Sequence, residues 1–429
     1  MAEDEFDDAL HRLSRPVARS PLELSRRRFI AALLGSAAGA AVLPSWAAAP
    51  AWAADPVADD EGILVVIMMG GGNDGMNTVC PVGDPRYFDL RGPLAVTAAN
   101  GLDIGDDHVR LHPSLVKLRA RYQAGQVAVV QGVGYAGADL SHFTSMATWM
   151  AGSGVPGPPT SGWLGRWLDD APGGPDTLHG VAIGSSVPLH LVGRTTRATG
   201  LPEWLDGAFG SDPSDPENGR MYDAVRAMAA APSGRGPWAD ALAANGRDTM
   251  DLAVTLDPVY DAQLPEGDLS RQLAICARLV NADLGVRVLS TGYGDFDHHA
   301  NQAWAHADRL AELDRAIDLF YLLLDPAWRN RVTILTFSEF GRRPERNDSG
   351  GTDHGTASAC FVVGDRVAGG LYGEYPSLDL AFPWDNLEST VDFRSVYASI
   401  VGPWLGGDPS AVVGGTFEDL GLFAGPPSP

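Results

Sequence analysis

Along the chain, short uninterrupted apolar runs alternate with stretches whose apolar side chains recur every three or four positions. The runs fall at 63–69, 126–133, 180–184, 285–291, 332–337 and 359–363, lengths that suit strands buried on both faces. Helical spacing falls over 113–124, 142–151, 219–231, 236–247, 268–281, 300–324 and 392–403. Within 300–324, the residues Trp304, Leu310, Leu313, Ile317, Leu319 and Leu323 form the expected core stripe. Strand and helix in alternation predict an α/β fold: a doubly wound, mostly parallel sheet with helices on both faces.

Two regions break that rhythm. From about 152 to 217 the chain is crowded with Pro, Gly and Asp (GSGVPGPPTSG, DDAPGGPD, FGSDPSDPENG) and carries Trp163, Trp167 and Trp204. It reads as a loop-rich covering segment or a long structural insertion. At the other break, SRRRFI at 25–30 precedes AALLGSAAGAAVL, with Pro44 closing the run and Ala51-Trp52-Ala53 offering a small-residue cleavage site. Paired arginines, a short apolar segment and an A-x-A ending predict an export signal over 1–53, of twin-arginine (Tat) type. The run is too short for a membrane span. A linker at 54–61 and a single α/β domain at 62–425 would follow. The mature chain is thus expected to use the Tat machinery, to have no transmembrane span, and to reside in the periplasm, cell envelope or extracellular space.

Charge narrows the partners. The 429 residues carry 31 Lys+Arg against 54 Asp+Glu, a formal −23, which repels nucleic acid and anionic lipid. A small anionic substrate would therefore need a local cationic site, from arginine or bound metal. Cys80, Cys276 and Cys360 are too few and too scattered for a disulfide framework or a thiolate zinc site.

In an open α/β sheet, ligands bind beyond the carboxyl ends of the strands. Polar residues gather there. Asp74 follows the first strand, and GADLSHFTS, with Asp139, Ser141 and His142, follows the second. GYGDFDHHANQ follows 285–291 with Asp295, Asp297, His298, His299 and Asn301. SEFGRR and NDSGGTDHGTAS follow 332–337 with Glu339, Arg342, Arg343, Asp353 and His354. Carboxylates with several imidazoles suit one or two divalent ions, Zn or Mn before Mg or Ca. Each motif also has a plainer explanation: turn bonding for Asp74, helix capping for Ser141, an ion pair for Glu339 with Arg342.

The opening loop ILVVIMMGGGNDGMNTV contains Gly70, Gly72 and Gly75 in G-x-G-x-x-G spacing. A dinucleotide cradle requires a helix to start at once, whereas TVCPVGDP follows here, and Asp74 would face the pyrophosphate. The loop is better explained as presenting a carboxylate. No G-x-S-x-G elbow occurs in the mature chain, so Ser141 lacks the usual presentation of a triad nucleophile.

Together the stretches GGGNDGMNTVCPVGDPRYFDLR, LHPSLVKL, LSHFTSMATWMAG, DFDHHANQ, LTFSEFGRRPERNDSGGTDHGTAS and VDFRSVYASIVGPWLG, with the Tat-like SRRRFI, resemble an exported bacterial family. That family is "domain of unknown function 1501", placed in the alkaline phosphatase and sulfatase superfamily. The resemblance implies Asp74 as a metal ligand from the first strand and Ser141 as a helix-start nucleophile, with Thr144 as fallback. Asp297, His299 and His354 would hold the other metal. At Glu339-Phe340-Gly341 the superfamily usually has Asp-His-Gly, so Glu339 keeps a carboxylate and Phe340 removes an imidazole. His142 or Asp353 would have to substitute. Asp297-x-His299 is also tighter than the usual spacing, which would place a ligand at Asn301.

The resulting expectation is an exported metal-dependent hydrolase of phosphate or sulfate esters, its substrate a small anionic ester. Ser141 would be the nucleophile, and Arg342 or Arg343 the anion clamp. The competing expectation is an inactive sulfatase-like binding or assembly protein of the cell envelope.

Overall fold

The computed structural model describes residues 56–153, 159–171, 178–184, 186–196, 198–203 and 263–427, with a few positions between 219 and 260. The described fold belongs to one compact unit, Ala53–Trp204 with Ala262–Pro429. The export signal, the helices expected at 219–231 and 236–247, and residues 154–158, 172–177 and 204–218 fall wholly or mostly outside the described residues.

In chain order the strands are β1 (Ile63–Met69), β2 (Val79–Cys80), β3 (Arg110–Leu111), β4 (Val127–Gly134), β5 (Gly180–Ile183), β6 (Thr199–Leu201) and β7 (Val288–Tyr293). There follow β8 (Val332–Phe337), β9 (Arg342–Arg346), β10 (Thr352–His354), β11 (Ser358–Val363), β12 (Gly370–Tyr372) and β13 (Val391–Asp392). Helices that bear on the site are α1 (Gly75–Thr78), α2 (Pro85–Arg91), α3 (Val116–Gln123), α4 (His142–Ala151), α5 (Trp163–Asp169), α6 (Asp268–Asn281), α7 (Gln302–Leu323) and α8 (Phe393–Ile400).

The main sheet has the order β12-β4-β11-β8-β1-β7-β5-β6, with β13 also on β4. Strand β1 is parallel to both neighbours, in the registers Val65↔Leu289 and Val65↔Ile334. Among the described strands of this sheet, only β11 runs antiparallel, between β4 and β8. Strands β1, β4, β7 and β8 therefore end at one edge, and β11 starts there. Residues Ile63 to Ile67 are fully buried because the central strand is covered on both faces, which explains its unbroken apolar run.

Within 152–217, the described residues Trp163, Leu164, Trp167 and Leu168 belong to the main core, and β5 and β6 extend the sheet. Trp149 packs face to face with Phe337 at 5.6 Å and with Phe393 at 4.6 Å, while Trp163 stacks on Tyr397 at 4.1 Å. This aromatic block fixes α4. His142 and Trp149 are two turns apart on one helix face, so anchoring the tryptophan sets where the histidine stands.

Two expectations are corrected. The seventh strand begins at Val288 rather than 285, because Gly285 adopts φ 73° and the Arg287 guanidinium binds the Gly62 carbonyl and Glu61. In α7, Trp304 is 76% exposed and Leu323 is 38% exposed; the buried stripe is Leu310, Leu313, Ile317 and Phe320. The apolar period there marks the face, but the residues at its two ends are solvent-exposed. All three cysteines are buried and free. Among the described residues, no helix is long and apolar enough to cross a membrane.

His190 is fully buried. Its Nε2 meets Ser290 Oγ at 2.8 Å, and burial pushes its pKa down to about 3. Unfolding returns it to an ordinary value near 6.5, so the unfolded chain binds more protons below that pH and stability falls on acidification. Replacing it in His190→Leu should remove up to about 1.4 kcal/mol per pH unit from the slope of unfolding free energy between pH 6 and 4. Urea titrations across that range measure the slope; an unchanged slope would contradict a neutral buried imidazole.

Candidate functional site

Four strand-end loops meet at the carboxyl edge. The loop after β1 takes positive φ at Gly71 (116°) and Gly72 (76°), conformations that L side chains rarely adopt. A Cβ on Gly71 would lie 2.6 Å from the Asp297 backbone nitrogen, and one on Gly72 would lie 2.4 Å from the Phe340 ring. The glycines thus let this loop close against the Phe296–Asp297 and Phe340 segments. Its polar groups are used internally: Gly71 N–H donates to Glu339 Oε1 at 2.9 Å and Asn73 N–H to Ser338 Oγ at 2.9 Å.

Asp74 is buried, and its carboxylate is engaged by neighbours inside the protein. Its carboxylate caps α1 by accepting from Asn77 N–H at 3.1 Å and pairs with the buried Arg91 at 2.7 Å. It also accepts from the Gln302 amide. With these three donors it works as an internal anchor, which accounts for an acidic residue in an apolar setting.

The residues that converge are His142, Asp297, His299 and His354. His142 opens α4, Asp297 and His299 lie on the loop after β7, and His354 ends β10 in the β9–β10 hairpin. Ligand atoms of His142, Asp297 and His354 lie within 4.8 Å of one another. His142 Nε2 is 3.5 Å from Asp297 Oδ2, and His354 Nε2 is 3.1 Å from Asp297 Oδ1. His299 Nε2 is 3.1 Å from both Asp297 Oδ1 and His354 Nε2.

The opposite nitrogen of each ring is tied to an acceptor. His142 Nδ1 lies 2.8 Å from Glu339 Oε1, His299 Nδ1 lies 3.1 Å from Asp353 Oδ1, and His354 Nδ1 lies 2.9 Å from the Leu140 carbonyl. A carbonyl or carboxylate oxygen accepts, so each Nδ1 carries the proton, a tautomer assignment made from the network. Each ring turns its Nε2 toward the same carboxylate, and in the neutral tautomer that nitrogen offers a lone pair. His299 Nε2 approaches His354 Nε2 to 3.1 Å, a spacing that a shared proton or a bound cation would join. Imidazole nitrogens with second-atom acceptors and a carboxylate are the donor set of a divalent transition metal, so the residues fit such an ion.

Asp297 is held ready. Burial raises its pKa, but the Arg342 guanidinium, donating at 2.6 Å, and the neighbouring His354 ring more than offset this and bring it to about 2. Arg342 itself is buried. It donates to the Gly72 carbonyl at 2.8 Å, to Thr352 at 2.9 Å, to Phe296 at 3.1 Å and to Gly71, so none of it is left for a substrate. Arg343 is half-buried beside Asp353, whose pKa is lowered chiefly by the Asn347 amide and then by His299.

Glu339 also departs from the ligand role expected of it. It is buried, and Gly71 N–H, His142 Nδ1 and Ser338 Oγ occupy its oxygens, the last at 3.0 Å. Phe340 fills the expected imidazole position. Its ring lies 4.9 Å from that of His142 and 4.8 Å from that of His354, forming a floor beneath both. Ser141 stands at the N-cap of α4 without a side-chain capping bond; its N–H donates to Asp139 Oδ1 at 2.7 Å. Thr144, one turn on, is exposed. Sequence reasoning did not single out Arg91, Gln302 or Ser338, whose roles depend on partners more than 15 positions away.

A family model described as "Protein of unknown function (DUF1501)" matches residues 63–406. No curated protein matches. Among solved structures, the chain is similar to a protein in the alkaline phosphatase superfamily from Vibrio parahaemolyticus, at 8% identity and TM-score 0.40, covering 92% of this chain and 78% of that one. It is similar to the PsFucS1 sulfatase from Pseudoalteromonas sp., at 12% identity and TM-score 0.37, covering 86% and 74%. The C-terminal periplasmic domain of EcEptC from Escherichia coli, in complex with Zn, gives 8% identity and TM-score 0.35 over 82% and 86%. With the family model spanning the sheet and all four strand-end loops, the chain belongs to the DUF1501 family.

Proposed function

We propose that this chain is an exported, metal-dependent hydrolase of phosphate or sulfate esters. One divalent ion, Zn or Mn, would be held by His142, His299, His354 and Asp297. The observation that carries the reading is the convergence of three Nε2 atoms on one carboxylate, with every Nδ1 tied back to an acceptor. When bound, the ion supplies a lowered hydroxyl pKa and draws charge from the ester oxygens.

The chain's own residues do the rest. Glu339 and Asp353 fix the rotation and tautomer of His142 and His299, and Arg342 keeps Asp297 ionised and oriented. Ser141, next to His142 and uncapped, attacks phosphorus or sulfur; the alcohol leaves, and water then frees the anion from the serine. Because Arg342 is fully engaged inside the protein, the role of anion clamp passes to Arg343. Export rests on the SRRRFI signal.

A second reading is a metal-holding envelope protein without turnover. The Phe340 ring favours it, because it packs against both His142 and His354 where a further ligand would otherwise enter.

Elemental analysis of protein purified without chelator should find about one transition metal per chain, lost in His354→Ala. Ser141→Ala should keep the metal and lose hydrolysis of p-nitrophenyl phosphate or sulfate. Metal without hydrolysis in the parent supports the second reading, and a parent that takes up no Zn or Mn refutes both.

Asp74→Asn separates anchor from ligand. It should leave metal content unchanged while lowering unfolding free energy by roughly 3–5 kcal/mol, because it strands the buried Arg91 charge. Loss of metal at unchanged stability would place Asp74 in the coordination set instead.

A further inference from the structure

The LHPSL stretch has no part in the metal site, yet its histidine lines a separate cavity of about 150 Å³. His112 follows β3. Its N–H donates to the Thr78 carbonyl at 3.0 Å, and its Nδ1 accepts from Ser114 N–H at 3.2 Å. An accepting nitrogen is bare, so the neutral ring carries its proton on Nε2.

His306, on α7, is engaged the other way round. Its Nε2 lies 2.9 Å from Asn73 Oδ1, while the Asn73 amide N–H donates to Thr78 Oγ1 at 3.1 Å. Thr78 Oγ1 also lies 3.2 Å from Asn73 Oδ1 and 3.4 Å from His306 Nε2, but its own proton goes to the Asp74 carbonyl at 2.7 Å, so the network assigns Oδ1 to face His306, puts the proton on Nε2 and leaves Nδ1 bare. The two rings meet edge to face, 5.6 Å between centroids, and are 8% and 2% exposed. Among the described residues, neither His112 Nε2 nor His306 Nδ1 has a hydrogen-bond partner, and both rings line the cavity.

The surroundings define what would fit. Leu94, Val96 and Pro113 give apolar walls, the exposed Asn100 stands at the lip, and no charged side chain lines the space. Burial brings His112 down to about 4 and His306 well below its ordinary value, so both are uncharged at neutral pH. A polar cavity of this size either holds water or takes a ligand of about six heavy atoms.

We infer that this cavity binds a small uncharged molecule through a primary amide or hydroxyl group. Its oxygen accepts from His112 Nε2–H and its N–H or O–H donates to His306 Nδ1. The site is separate from the metal centre and does not depend on the hydrolase reading. An anion of the same shape is refused, because no cationic side chain lines the space to balance its charge.

Acetamide is the probe and acetate the isosteric control. Long-range ¹H–¹⁵N spectra of histidine-labelled full chain should show acetamide shifting the His112 and His306 ring nitrogens saturably, with acetate leaving them in place. His112→Asn keeps an acceptor for Ser114 N–H, and His306→Gln keeps a donor for Asn73; each deletes only the nitrogen facing the cavity. Either should weaken acetamide binding about fivefold or more, the worth of one hydrogen bond. Linear, unsaturable shifts, equal response to acetate, or folded variants that bind as the parent does would overturn the proposal. Should both variants fail to fold, the parent titration with its acetate control decides.

Discussion

The Arg342 guanidinium is the knot on which the edge of the sheet depends. From a buried position it binds the carbonyls of Gly71, Gly72, Phe296 and Thr352 and the carboxylate of Asp297. Those partners come from three separate segments: the loop after β1, the loop after β7, and β10. A planar group with five donors can satisfy several acceptors at once, which a lysine could not reproduce. The same charge holds Asp297 ionised, so the fastening of the loops and the chemistry of the site share one residue.

Around that knot, each histidine is oriented from behind. Glu339 is tied to the glycine loop and to Ser338, and in turn fixes His142; the β9–β10 hairpin brings Asp353 and His354 to their places together. Trp149, stacked on Phe337 and Phe393, sets α4 in position from the core side. Neighbouring acceptors that hold a ligand's far nitrogen fix tautomer and ring plane. Here they come from the loop after β8, the β9–β10 hairpin and the Leu140 backbone, so the site is assembled only when the sheet is complete.

Much of this was legible in the chain. The spans of β1 and β8 agree with the apolar runs that predicted them, as do those of α4 and α6, because buried strands and amphipathic helices leave strong periodic signals. Asp297, His299, His354 and His142, which lie together in the structure, all sit in polar stretches that follow apolar runs. The short strands β6, β12 and β13 were missed because two or three residues carry no period. The roles of Glu339 and Asp74 were hidden for another reason. A carboxylate's task depends on the nearest donor, and His142 stands 197 positions from Glu339 while Arg91 stands 17 from Asp74. The glycine loop is expected from sequence to present Asp74; in the structure Gly71 and Gly72 permit close contact with Asp297 and Phe340, partners that no local pattern discloses.

On the proposed reading, three imidazoles and one carboxylate share a metal ion. X-ray absorption at the zinc edge of the zinc-loaded protein tests it most directly. The account predicts a nitrogen and oxygen shell at about 2.0–2.1 Å with the multiple-scattering pattern of about three imidazoles. A shell of oxygen alone, or sulfur near 2.3 Å from the buried cysteines, would contradict it.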